Sequence, residues 1–191
     1  LRRIAIAAHA GEDVLIFCDS DVAFVKPFDL NAFWRDGKVR LFRRDGVLSS
    51  EGHDEHRIWS RNAGSALGID PSEVSTHDYI STLIAWRRQT VTAMCAQIEK
   101  VHGRNWVEVI GSARRFSECM IYGRYVDDVL RGAGHFHGSE EFCRVHWTGE
   151  ALSDDEFRSF VAAMAPGQVA IGMQSFIGTD IRRIRRLIGL D

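Results

Sequence analysis

Val14-Leu15-Ile16-Phe17-Cys18 is an unbroken apolar run that ends directly on Asp19-Ser20-Asp21. Three of its five residues are β-branched or aromatic, the pattern of a strand buried on both faces of a parallel sheet. Such sheets present their chemistry beyond the carboxyl ends of the strands, where both aspartates fall. Two carboxylates one residue apart repel each other unless positive charge sits between them. Carboxylate oxygens suit Mg2+ or Mn2+, and a cation held here can also grip a phosphorylated substrate. The plainer alternative is that Asp19 caps a turn and Asp21 is solvated; the position at the end of an apolar strand favours the metal. Val22 to Val25 then extends again and stops at Lys26-Pro27-Phe28-Asp29.

The 191 residues, 45% hydrophobic and 26% charged, are ordinary for a single globular domain spanning 1–191. The formal net charge of −2 gives no footprint for nucleic acid. The four cysteines, Cys18, Cys95, Cys119 and Cys143, are scattered in apolar contexts and read as buried free thiols. No apolar run approaches a membrane span. A cytoplasmic location follows as the expectation, with peripheral contact to the inner face of a membrane.

Hydrophobic spacing predicts helices over 1–10, 58–67, 90–101, 105–114 and 117–131, and one from Ser153 to Met164 opened by a capping box. A final helix over 179–190 is expected to be capped by Thr179. Strands are expected at 39–43, half-exposed, and at 79–86, 142–147 and 169–173. Arg44 to Arg57 reads as a long polar loop with His53 and His56 solvated, and Gly132 to Gly138 as a Gly/His loop. The alternation of strand and helix says α/β.

A hydrophobic strand, a D-x-D, a short strand and a Pro-Phe segment together resemble the glycosyltransferases of the GT-A fold. More narrowly, the chain is similar to a family of bacterial proteins of unknown function regarded as glycosyltransferase-like. That resemblance runs on through Asp78-Tyr79-Ile80-Ser81-Thr82-Leu83-Ile84-Ala85-Trp86-Arg87-Arg88, Phe116-Ser117-Glu118, His146-Trp147 and Gln174-Ser175-Phe176. It implies a Rossmann-like mixed sheet flanked by helices, incomplete at its N-terminus, because GT-A enzymes hold the nucleotide base with elements that precede the D-x-D. It also implies transfer of a sugar from a nucleotide-diphosphate donor to a carbohydrate or lipid-linked acceptor.

By that resemblance Asp19 and Asp21 hold Mn2+ or Mg2+, which stabilises the departing diphosphate. His146 is the best placed third ligand, with His135 and His137 as rivals; a strand histidine is otherwise a packed core residue. Glu118 opens a helix, where the helix dipole alone accounts for a carboxylate; in an inverting enzyme it would be the general base. Asp78 and Tyr79 would face the sugars, Trp147 would stack on one, and Ser20, Gln174 and Ser175 would contact the substrate. Trp86 and Trp106 read as packing residues. Arg182, Arg183, Arg185 and Arg186 give the last helix a basic face that can meet anionic lipid, although solvated arginines explain it equally.

Two rival classes fit the same residues. Phosphatases of the haloacid-dehalogenase type also place a D-x-D after an early strand, with the first Asp as nucleophile and Mg2+ bound. Ala23 stands where that family usually has Thr or Val, and Asp127-Asp128 falls inside an amphipathic helical pattern. A non-catalytic sugar- or partner-binding module is the third reading.

Overall fold

The computed structural model describes residues 1–189, Ser175 in its backbone alone. In chain order the elements are α1 (Arg2–His9), β1 (Val14–Cys18), β2 (Val22–Phe24), β3 (Trp34–Arg35), β4 (Lys38–Phe42), α2 (Asp54–Leu67), β5 (Leu83–Arg87) and α3 (Arg88–His102). There follow α4 (Trp106–Ser112), α5 (Glu118–Arg124), β6 (His135–Gly138), β7 (Cys143–His146), α6 (Asp154–Ala162), β8 (Ala170–Met173) and α7 (Ile181–Leu187). This is a mixed α/β protein with small sheets, and it divides into two compact units.

The first unit comprises Leu1–Phe17 and Leu30–Ser139. Its sheet β3-β4-β6 joins an antiparallel pair to a parallel one, with Val39 opposite His135 and Phe42 opposite Gly138. A second sheet pairs β1 with β5, and the ring of Phe17 meets that of Trp86 edge-on at 5.3 Å. The core gathers one face each of α1, α2, α3 and α5 around Ile4, Leu67, Met94, Ile98, Met120 and Tyr122. Burying such side chains is worth about 1.5–3 kcal/mol each, which is what holds short elements like these in place.

The helix ends follow their sequence signals. Gly68 and Gly103 close α2 and α3 with positive φ, Asn105 and Ser117 cap α4 and α5 by accepting from Val107 N–H and Met120 N–H, and Ser153 forms its capping box with Glu156. The helix opened by Ser117 continues past Arg124 as a π-helical turn, Tyr125–Val129.

The second unit comprises Cys18–Asp29 and Glu140–Asp191. Its sheet has the order β2-β8-β7, with β2 antiparallel and β7 parallel to the central strand. A small core of Phe157, Met164, Ile171, Met173 and Ile184 joins that sheet to α6 and α7.

Several expectations are corrected. β1 is half-buried, because its sheet has only two strands and leaves it at an edge, and Cys18 at its end is exposed. β4 is buried from Val39 to Phe42, and 135–138 is a strand because it pairs with β4. The polar stretch 44–57 is partly helical: a short turn covers Val47–Ser49 and α2 begins at Asp54. The cap of α7 is Asp180, whose carboxylate accepts from Arg182 N–H, in place of Thr179. Leu190, at the end of the expected 179–190 helix, lies outside the described residues.

Candidate functional site

In the second unit Asp19-Ser20-Asp21 forms the link between β1 and β2, as the D-x-D pattern requires. Asp21 is tied to the central strand through its backbone: Met173 N–H donates to Asp21 O at 3.1 Å. Met173 in turn stands opposite His146 in the β7–β8 ladder, and Gln174 N–H donates to His146 O at 3.4 Å. Asp21, Met173 and His146 therefore lie in one row across the edge of the sheet, with Gln174 next to it. Adjacent strands are about 4.8 Å apart, so the outer two positions are separated by roughly 10 Å of backbone.

The side chains of that row differ. The Asp21 carboxylate is half-buried and has no hydrogen-bond or ion-pair partner among the described residues. His146 packs edge-on against Phe160 at 6.2 Å, and its Nε2 donates to Glu150 O at 3.0 Å. With the proton on Nε2, the lone pair of the neutral ring is at Nδ1. Trp147, the next residue, is 52% exposed. The side chain of Ser175 lies outside the described residues.

Among the described residues no three His, Cys, Asp or Glu side chains converge where a cation could sit. Asp19 and Asp21 suit a hard cation in kind, and Mg2+ bound by one or two carboxylates takes its remaining oxygens from water and substrate phosphates. The pair fits a shared cation of that sort rather than an all-protein cage.

The other expected site residues belong to the first unit and are engaged there. Glu118 faces Arg3 Nε at 3.6 Å. Asp78 is fully buried; Arg44 donates to it, its Oδ2 lies 3.2 Å from His56 Nδ1, and its Oδ1 accepts from Ile80 N–H at 3.0 Å. Burial pushes this carboxyl up, but the bonds from His56, Ile80 N–H and Arg44 outweigh it and hold it below its usual range. Contact with a sugar would need that pair to open. Tyr79 is buried too, its ring over Gly123, where a Cβ would run into the ring, and its hydroxyl donates to Asp127 Oδ2 at 2.8 Å. His56 is half-buried and stacks on Trp59 at 5.0 Å, so it is not the solvated residue expected.

Sequence reasoning passed over a second carboxylate as fully engaged as Asp78. Asp127, on the π-helical turn, accepts from Tyr79, from Arg43 Nη1 at 3.0 Å and from His137 Nε2 at 2.8 Å. Burial raises its pKa, yet His137, Tyr79 and Arg43 together bring it down to about 2. Arg43 follows β4 and His137 lies on β6, so the cluster is at the carboxyl ends of two parallel strands. π-turns recur at functional sites, but the helical run of 117–131 concealed this one. His135 is the core histidine: its Nδ1 donates to Ala133 O at 2.9 Å, its Nε2 accepts from Tyr122 OH at 2.8 Å, and burial lowers its pKa.

The sequence matches the profile of a family of unknown function, DUF6492, over residues 2–165. The chain belongs to that family. No curated protein matches it. The DUF6492 match takes in the D-x-D, the Asp127–His137 cluster and His146, and stops ahead of β8 and α7.

Proposed function

We propose that this DUF6492 protein is a metal-dependent glycosyltransferase of the GT-A type, moving a sugar from a nucleotide-diphosphate donor to a carbohydrate or lipid-linked acceptor. The observation that carries the reading is the unpartnered, half-buried carboxylate of Asp21 at a strand end, in one row with His146. A carboxylate at a strand end with no protein partner keeps its acceptor oxygens for a cation brought from outside. Asp19 and Asp21 would hold Mn2+ or Mg2+, with water and the donor's phosphates completing its shell; His146, the third ligand expected from the sequence, does not converge with them on one point. When bound, the cation neutralises charge on the departing diphosphate. Ser20 and Gln174 flank the row and would hydrogen-bond the donor, and Trp147 offers an exposed ring for a sugar face.

Titration calorimetry of UDP, GDP and their sugar conjugates, with and without Mn2+, tests this on the wild type and on Asp21→Ala. Nucleotide binding that requires Mn2+ and disappears in the variant is the expected result. Cleavage of a generic phosphate ester with Mg2+ and no nucleotide binding would select the phosphatase class instead. Neither activity would leave a binding module.

A further inference from the structure

We propose that the rim of the second unit formed by Trp147, Phe176, Ile181, Arg182 and Arg186 docks on an anionic lipid surface. Phe176 is 73% exposed, Ile181 65% and Trp147 52%, among the highest values for large apolar side chains in the chain. Trp147 and Phe176 leave adjacent parallel strands, β7 and β8, at the same end of the sheet, where Gln174 N–H still bonds His146 O across the two strands. The short turn Ser175–Ile177 closes at Gly178, with φ of 73°, and Ile181 opens α7 three residues later.

α7 turns Ile184 inward, with Leu187 and Ile188 packed against the same core. Arg182, Arg185 and Arg186 are exposed. Arg183 is paired with Asp154, and the Asp180 carboxylate caps the helix, whereas Arg182 and Arg186 have no carboxylate partner among the described residues. Exposed aromatic rings beside unpaired guanidinium groups match a bilayer interface, where rings lie at headgroup depth and cations meet lipid phosphates. The unpaired positive charge is what selects an anionic lipid over a second protein surface.

The inference does not depend on the transferase reading. Its test is co-sedimentation of the full chain with vesicles of phosphatidylcholine alone and of phosphatidylcholine mixed with phosphatidylglycerol, at low and high salt. Binding is expected only to the mixed vesicles and should weaken with salt. Replacing both arginines (Arg182→Gln with Arg186→Gln) should weaken it about thirtyfold, and Phe176→Ser about tenfold. These side chains are exposed, so circular dichroism should show both variants folded. The proposal fails if mixed vesicles do not pull the protein down, or if neither variant weakens binding. It fails equally if Phe176→Ser abolishes self-association of the protein while vesicle binding is absent.

Discussion

Asp78 and Asp127 of the first unit and Asp21 of the second are in opposite situations. In the first unit Asp78 is buried and Asp127 half-buried, and both are surrounded by donors, Arg44, His56 and a backbone N–H for one, Arg43, Tyr79 and His137 for the other. In the second, Asp21 is half-buried with no side-chain partner among the described residues. A carboxylate whose acceptor sites are filled by its own protein fixes loops in place. One left open at a strand end is available to something brought from outside. On the proposed function, the first pair does structural work and Asp21 is the one left for a ligand, a contrast that can be broken at several points.

The largest effect belongs to Asp78. Removing one member of a buried ion pair strands the other, at a cost of about 3–5 kcal/mol. Arg44 is partly exposed and can reach water, so Asp78→Ala should fall near the lower end, about 3 kcal/mol, or a drop of about 10 °C in melting temperature. Thermal and urea unfolding would measure it; a loss below about 0.5 kcal/mol would mean the pair contributes no more than a surface contact.

Acid should weaken the first unit through Asp127. Its folded pKa of about 2 lies below the ordinary 3.8, so its contribution is fully present above the unfolded value and is lost as pH falls through the folded one. The shift corresponds to about 2 kcal/mol, given up between roughly pH 5 and pH 1. Asp78, lowered as well, acts with the same sign. His135 adds an earlier slope: its lowered pKa means the unfolded chain takes up the proton first, so stability declines as pH drops below about 6.5. Urea midpoints across this range should show a shallower acid limb in Asp127→Asn than in the wild type. An unchanged limb would remove Asp127 from the structural side of the comparison.

How much of this was legible in the sequence depends on the range of the interactions. Caps at Asn105, Ser117 and Ser153 and the glycine ends at Gly68 and Gly103 were readable because both partners lie within a few residues. The strand–D-x-D–strand order was readable for the same reason. The strand 135–138 was not, since His-Phe-His-Gly has no strand signal of its own and is held by β4, nearly a hundred residues earlier. Asp127 was hidden twice over: its partners Arg43 and Tyr79 are 84 and 48 residues away, and a π-turn displaces it from the register of the helix that precedes it. Tyr79 was misplaced toward a substrate because burial beneath Gly123 is a tertiary fact.

Asp21 carries the smallest expected change in stability and decides the most. With no protein partner to lose, Asp21→Asn should unfold within about 0.5 kcal/mol of the wild type, or slightly above it, since one of two neighbouring like charges is removed. Ligand linkage should then separate the two proteins. Mn2+ with UDP or GDP at a hundred times its dissociation constant should stabilise the wild type by about 2.7 kcal/mol. The same addition should leave Asp21→Asn where it was, because an amide oxygen cannot replace the carboxylate that the shared cation needs. A variant losing 2 kcal/mol or more without any ligand would place Asp21 with Asp78 and Asp127, as a carboxylate the fold needs. A variant that still gains the full stabilisation would remove it from the site and leave Asp19 to hold the cation.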